Sequence, residues 1–473
     1  MGDIDAIFKS YDIRGLYPEQ IDRDTCFLIG QAFSTFLEEE GELPLGGKIL
    51  VAFDMRPSCA ELVEAFIDGC GGRIDAGPEV ISLGLCSTDM LYFASGQISA
   101  PGVIFTASHN PAEYNGMKLC KSNAVPIGEG SGLERIRSLA KKREREIENP
   151  DPFRDVNHGI IREEVQTINV LEDFVNHALG FIDARNLKTL KVIADTANGM
   201  GGLVVPAVFK QIPLSVDILY GELDGTFPNH PADPLNPENL FDLKEKVLEA
   251  SADVGLAFDG DADRVFLIDE LGVTLSGSTT TAIVANGILD KEPSASIIHN
   301  LICSKSVEET VLAKGGKPIR SRVGHSHIKK LMAETGAAFA GEHSGHYYFR
   351  DNFCADSGII AALVVLEQMS LHEIPLSQLR KKFEIYSSTG EINFTIENPT
   401  GLLDFIANKF SDQQQDELDG LTVASEHWWF NLRSSNTEPL IRLNLETRDE
   451  PMLSKQLDLI KELIADFQSS AGN

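Results

Sequence analysis

Basic residues are in short supply. Lys and Arg number 41 against 71 Asp and Glu, so the 473-residue chain carries a formal charge of −30. Phosphate repels such a chain at long range, so neither nucleic acid nor an anionic membrane is an expected partner. Cysteine is sparse too, with seven in the chain and no CxxC pair. Cys26, Cys59, Cys70, Cys86, Cys120, Cys303 and Cys354 lie scattered. That pattern fits free thiols in a reducing cytoplasm, not a disulfide framework. Long apolar runs are missing: the longest lies near residues 359–366, far short of a membrane span. The first residues show no basic stretch leading into an apolar one, so no signal peptide is expected. Ala6 stands where a myristoylation pattern needs Ser or Thr. Neither GxGxxG nor a Walker A pattern occurs, which leaves nucleotide binding by those routes unsupported.

What is present is apolar material for sizeable cores, 42% of the chain, with ordinary Gly and Pro content. Disorder, collagen and coiled coil are thereby excluded. A chain beyond about 250–300 residues divides, here into roughly three units of about 150 residues. Ile29, Ala32, Phe33, Phe36 and Leu37 keep helix spacing, with Asp24 as the expected cap and Gly41 just past the end. Residues 49–53, 80–83 and 102–105 read as strands, and 60–67 as a helix between the first two. Continuous apolar strands alternating with helices predict parallel sheets covered on both faces. The charged stretch Lys141 to Glu148 reads as a solvated helix face, followed by a linker at Asn149-Pro150-Asp151-Pro152. The α/β rhythm restarts at residues 190–195 and runs through 254–258 and 265–268. A further unit begins near Gly277. From about residue 384 the pattern changes to strands at 391–396, 428–432 and 440–445 and a helix at 452–467.

The sharpest local signal is Asp259-Gly260-Asp261-Ala262-Asp263-Arg264, set between two apolar strands. In an extended segment residues i, i+2 and i+4 point the same way, so three carboxylates converge. They repel one another unless a hard cation such as Mg²⁺ neutralises them. An EF-hand is rejected, because Arg264 occupies the position of the obligatory Gly and the flanks read as strands. An aspartyl-phosphate enzyme with Asp259 as nucleophile stays open as a rival, as does a protein that binds Ca²⁺ or a sugar phosphate without turnover.

Three more loops carry chemistry. Thr106-Ala107-Ser108-His109-Asn110-Pro111 places Ser108 where a buried strand ends, with His109 adjacent and Lys118 ten positions on. A hydroxyl becomes a phosphoryl acceptor when a metal and cations neutralise the group in transit. Gly341-Glu342-His343-Ser344-Gly345-His346 combines close backbone approach with donors and acceptors suited to sugar hydroxyls. With no HExxH pattern, zinc at its histidines is not expected. Arg433-Ser434-Ser435-Asn436-Thr437-Glu438-Pro439 has the makings of a phosphate cradle. Isolated cations stand at Arg14, Arg56 and in Gly324-His325-Ser326-His327-Ile328-Lys329.

These loops, in this order, resemble the α-D-phosphohexomutase superfamily, from Tyr11-Asp12-Ile13-Arg14-Gly15 to the Arg433 loop. The resemblance implies an α/β fold of four domains around a central cleft: three related α/β units with mixed sheets and a smaller C-terminal α+β domain. The expected divisions are 1–155 with the phosphoserine, 156–273 with the metal loop, 274–383 with the sugar loop and 384–473 with the phosphate loop. It implies a cytoplasmic enzyme, a monomer or weak homodimer. Its substrate would be a small sugar phosphate, converted between hexose 1-phosphate and hexose 6-phosphate. The expected cofactors are Mg²⁺ and hexose 1,6-bisphosphate as activator.

By the same resemblance Ser108 is the phosphoserine and, with Asp259, Asp261 and Asp263, a metal ligand. Glu342 and Ser344 read the sugar. Arg433, Ser435, Asn436 and Thr437 clamp a phosphate. Arg14, His109, Lys118, Arg264 and His346 fall among the cationic or proton-transfer groups, and His325 and Lys329 among the substrate contacts. The Glu342 loop is most similar to bacterial phosphomannomutases, some of which also handle glucose. Phosphoglucosamine mutase, which has Gln in place of His343, is the alternative. One departure concerns the sugar: Asn300-Leu301-Ile302-Cys303-Ser304 lacks the Lys that related dual-specificity enzymes carry there.

Overall fold

The structure is a computed structural model that describes residues 3–44, 47–71, 77–148, 165–434 and 440–471. Four sheets follow one another along the chain. In the first, Gly102–Phe105, Lys48–Phe53, Glu79–Leu85 and Gln166–Thr167 run parallel, and Tyr114–Cys120 and Ile13–Leu16 add antiparallel at one edge. Gln166–Thr167 carries this sheet past residue 155, where the sequence placed the end of the first unit. The second sheet holds parallel Val254–Phe258, Lys191–Asp195 and Ser215–Leu219, with Val265–Asp269 antiparallel. The third repeats the plan with parallel Lys317–Ser321, Ser296–Asn300 and Phe339–Gly341, then antiparallel Tyr347–Phe349 and Ala355–Asp356. The fourth is antiparallel throughout and begins at Ser387–Thr395.

The three mixed sheets share one continuous apolar core, from Leu50 through Val254 to Phe383. The helix Gly358–His372, the longest apolar run, is buried in that core. The fourth unit has a core of its own, from Ile396 to Ile464. It is therefore the one unit that can move as a body without opening the core of the others. Among the described residues no helix is long and apolar enough to cross a membrane. The linker expected at residues 149–152 lies outside the described residues.

Two local expectations need correction. The helix Arg23–Glu39 is capped by Asp22, whose carboxylate accepts from Thr25 N, and not by Asp24. Asp24 already lies in the first turn, where its charge still suits the helix dipole. The acidic loop is a turn and not an extended segment, with Ala262 at φ 62° between Asp261 and Asp263. The carboxylates do converge, but through a reversal of the chain instead of strand alternation.

Candidate active site

Ser108 sits just beyond the strand Gly102–Phe105, in left-handed backbone at φ 48°, and is 4% exposed. A non-glycine residue in that region is uncommon and needs its surroundings to hold it. The holding groups are visible. Its N–H donates to Thr106 Oγ1 at 2.9 Å, and its carbonyl accepts from Arg56 at 2.9 Å. A side chain at Gly260 would meet that carbonyl at 2.3 Å, so only glycine lets the acidic loop approach so closely.

The hydroxyl of Ser108 donates to Asp259 Oδ2 at 2.7 Å and accepts from Arg264 Nη2 at 3.2 Å. Arg264 also donates from Nε to Asp259 at 2.9 Å and from Nη2 to His109 Nδ1 at 2.6 Å. A guanidinium only donates, so His109 Nδ1 is the acceptor and its proton lies on Nε2. Burial, then the charges of Arg264 and Arg14, push His109 down to about 2 and keep it neutral. Lys118, on the strand Tyr114–Cys120, bridges Asp261 and Asp263 at 2.6 Å each. Thr88 adds its hydroxyl to Asp261 and its N–H to the Asp261 carbonyl, tying the first unit to the second.

Burial disfavours every charge here, and the pairs decide the outcome. It drives Asp259 upward against the pull of Arg264. It would raise Asp261 as well, but Lys118 and Thr88 outweigh it and hold that carboxyl low. Asp261 and Asp263 raise Lys118 despite its burial. Oδ1 of Asp261 and Oδ1 of Asp263 are buried without a hydrogen-bond partner. Single oxygens of Asp259, Asp261 and Asp263 lie within 4.8 Å of one another. An all-oxygen, negatively charged set with orphaned acceptors fits a hard divalent cation.

The third unit closes one side. Arg264 pairs its backbone with His346. His346 Nε2 lies 3.9 Å from Asp263, and its Nδ1 is 3.0 Å from Ser344 Oγ. Glu342 is buried in a web of its own, accepting from Tyr348 Oη at 2.7 Å, Gly324 N at 3.2 Å and Asn300 Nδ2 at 3.3 Å. His325 starts the helix His325–Thr335, packs 4.9 Å from the Tyr11 ring and is pushed down to about 3 by burial and by Lys329. Lys329 is 3% exposed, 3.0 Å from Asp356 and over the Tyr92 ring at 3.7 Å. Its ammonium faces the Asp356 carboxylate but makes no hydrogen bond there.

Arg14 donates to Asn110 and Asp12 at the edge of the Ser108 loop. Arg433, near the end of Trp428–Ser434, pairs with Glu391 at 2.7 Å, close enough for its charge to act on His343 and Tyr11. Ser435, Asn436 and Thr437 lie outside the described residues. Arg56 and Thr88 are the contributors that sequence reasoning did not place at the site. Nothing in their spacing distinguishes them, because the chain fold alone brings them there.

Known proteins resemble this chain along nearly its whole length. The phosphoglucomutase/phosphomannomutase family matches in three successive pieces: α/β/α domain I over residues 5–146, domain II over 172–272 and domain III over 276–386. A phosphomannomutase of Methanocaldococcus jannaschii is 36% identical over 469 residues, covering 99% of both chains. One of Escherichia coli is 36% identical over 467 residues, covering 97% of this chain and 98% of that one. The crystal structure of a phosphoglucomutase/phosphomannomutase family protein from Burkholderia thailandensis superposes with a TM-score of 0.85 at 30% identity, covering 98% of each chain. The chain therefore belongs to the phosphoglucomutase/phosphomannomutase family.

Proposed function

We propose that the chain is a phosphohexomutase that interconverts hexose 1-phosphate and hexose 6-phosphate, with mannose the first expected sugar and glucose the second. The observation that carries this reading is the Ser108 hydroxyl, 2.7 Å from Asp259 and 3.2 Å from Arg264, beside three clustered carboxylates. An isolated acidic turn needs no hydroxyl at its centre, whereas a phosphoryl relay does. The rival with Asp259 as nucleophile is disfavoured by the same contacts. Its Oδ2 is engaged by Ser108 and Arg264, and its Oδ1 accepts from Arg264 N at 3.1 Å.

In this reading phospho-Ser108 gives its phosphoryl group to O6 of a hexose 1-phosphate. The Oγ–P bond breaks as an O6–P bond forms, and the proton that O6 loses is matched by one that Ser108 Oγ takes up. The bisphosphate turns over in the cleft. The O1–P bond then breaks, an Oγ–P bond re-forms and O1 takes up a proton, leaving hexose 6-phosphate. The Ser108 hydroxyl points its hydrogen at Asp259, the acceptor for its own proton when the phosphate returns. Arg264 supplies fixed positive charge at the site of transfer. Lys118 and His346 are proposed to move the sugar protons, His109 to hold Arg264 through Nδ1, and Arg14 to orient the loop through Asn110. Asp259, Asp261, Asp263 and the phosphate on Ser108 would hold Mg²⁺, which when bound neutralises charge on the group in transit.

Arg433, with the 435–437 loop, is proposed to hold the phosphate that is not reacting, and Glu342 and Ser344 to read the hydroxyls. His325 and Lys329, whose buried ammonium has no hydrogen-bond partner among the described residues, are proposed as further substrate contacts. The division at about residues 167, 273 and 383 into nucleophile, metal, sugar and phosphate units belongs to the same proposal. So do a cytoplasmic setting, consistent with seven free cysteines, and a monomeric or weakly dimeric enzyme.

The test is turnover of mannose, glucose and glucosamine 1-phosphates side by side, primed with the matching bisphosphate, with Mg²⁺ and with chelator. Conversion to 6-phosphates that chelator stops is expected, fastest with mannose. No conversion of any of them by protein phosphorylated on Ser108 would overturn the reading.

A further inference from the structure

Arg56 follows the strand Lys48–Phe53 and is 2% exposed. A guanidinium carries five N–H groups in a rigid plane. Here each of the five has an acceptor. Nε–H donates to Asp54 at 3.2 Å. Nη1 donates to the carbonyls of Pro111 at 2.7 Å and Tyr114 at 2.9 Å. Nη2 donates to the carbonyls of Ser108 at 2.9 Å and Asn110 at 2.7 Å. Four of the five bonds thus end on one short loop, residues 108–114, and the first of them on the nucleophile itself. Asp54 balances the charge and holds the arginine from behind, accepting also from Arg56 N at 2.9 Å.

The arginine is braced from the second unit as well. Phe227 lies under its guanidinium at 5.1 Å, and a side chain on Gly225 would strike Arg56 Cα at 2.5 Å. The Ser108 carbonyl that Arg56 grips is the one that abuts Gly260 of the acidic loop. Arg56 therefore stands where the nucleophile loop, the acidic loop and the second unit meet. Loop carbonyls at the end of a sheet are ordinarily satisfied by water or by turns. Gathering four of them on one planar cation fixes the loop in a single shape and holds Ser108 in its left-handed conformation.

We propose that Arg56 is a positioning residue for phosphoryl transfer, presetting Ser108 Oγ against Asp259 and Arg264 without touching the substrate. This inference rests on the phosphoserine reading above. Lysine keeps the charge but not the plane or the fork, so it cannot serve four carbonyls. Displacement of a reacting atom by about 1 Å costs on the order of 10²-fold in rate.

Labelled hexose 1,6-bisphosphate tests this on the full-length enzyme. Wild-type protein must first take up phosphate on Ser108; failure there sinks the mutase reading itself. Against that control, Arg56→Lys is expected to phosphorylate Ser108 and turn over about 10²-fold more slowly, with KM nearly unchanged. Methylguanidinium added to Arg56→Ala is expected to restore part of the rate, which a general loss of stability would not allow. If the lysine variant does not fold, Arg56→Gln is read by the same assays. A folded variant that labels Ser108 at the wild-type rate overturns the inference. So does one whose loss lies in KM alone, or a folded Arg56→Ala that methylguanidinium does not rescue.

Discussion

Ser108 Oγ and Asp259 Oδ2 lie 2.7 Å apart although 151 positions separate them in the chain. One residue ends a strand of the first sheet and the other ends a strand of the second. The contact exists because the helix Thr88–Ile98 offers its first N–H to the acidic loop, and because Gly260 has no side chain to hold the Ser108 carbonyl away. The site is thus assembled at a seam between units that share one core. The fourth unit stands apart from that seam, with a separate core.

Ser108→Ala removes the hydroxyl and leaves Asp259 with its two bonds to Arg264. No buried charge is left unpaired, so the stability cost is about 1–3 kcal/mol. Turnover is expected to vanish while a cooperative melt persists within several degrees of wild type. Residual mutase activity above background would remove Ser108 from the relay.

Asp89 gives a pH prediction. It is buried, accepts the hydroxyls of Ser87 and Ser357, and faces Asp263 and Asp356. Burial pushes its carboxyl up to about 7, against the help of both hydroxyls. An unfolded Asp titrates near 3.9, so between about pH 4 and 7 the folded state holds a proton that the unfolded state has released. The stabilising contribution is therefore complete at the acid end and is lost as the pH climbs through about 7. Asp89→Asn keeps the shape without the charge. It is expected to flatten the decline in Tm over that window and to raise Tm on its alkaline side. Parallel Tm–pH curves for the two proteins would count against it.

How much of this was legible in the sequence follows from where the information sits. Buried parallel strands are continuous apolar runs, so residues 49–53, 102–105 and 254–258 could be read off, and they match Lys48–Phe53, Gly102–Phe105 and Val254–Phe258. The acidic loop was legible because three Asp at alternate positions are rare between apolar strands. Its turn was not, since nothing in an Asp-Ala-Asp step announces a left-handed Ala262. The cap slipped from Asp24 to Asp22 because both are good capping residues two positions apart, and only tertiary packing chooses between them. Arg56 looked like any isolated cation. Its role is written in carbonyl groups, which every residue has and no sequence distinguishes. Thr88 is hidden for a related reason, since its partner Asp261 lies 173 positions away.

Arg433 belongs to the unit with its own core and, among the described residues, ion-pairs with Glu391. Arg433→Ala is expected to leave the melt of the first three units unchanged. A charge-assisted bond to a phosphate is worth about 1.5–3 kcal/mol, which corresponds to a rise in KM of about 10- to 100-fold. Steady-state kinetics on hexose 1-phosphate read it directly. An unchanged KM would show that the non-reacting phosphate is held elsewhere.

Gly260→Ala tests the seam itself. The added methyl would lie 2.3 Å from the Ser108 carbonyl oxygen and 3.2 Å from its carbon, both backbone atoms, so no side chain can swing aside to make room. The acidic loop cannot simply retreat. Gly260 O accepts from Met200 N at 2.8 Å, and a side chain on Gly199 would already meet that oxygen at 2.6 Å. The strain must then be taken up between Ser108 and Asp259, where a shift of about 1 Å costs on the order of 10²-fold in rate. Thermal stability is expected to fall by less than kcat does when both are expressed as free energy, because the two sheets behind the loops are untouched. Comparing kcat with Tm for this one variant separates the outcomes. A large loss of Tm with proportionate activity would mean the glycine serves the packing of the units. A collapse of kcat in a well-folded protein would mean that the distance from Ser108 to Asp259 is what this glycine protects.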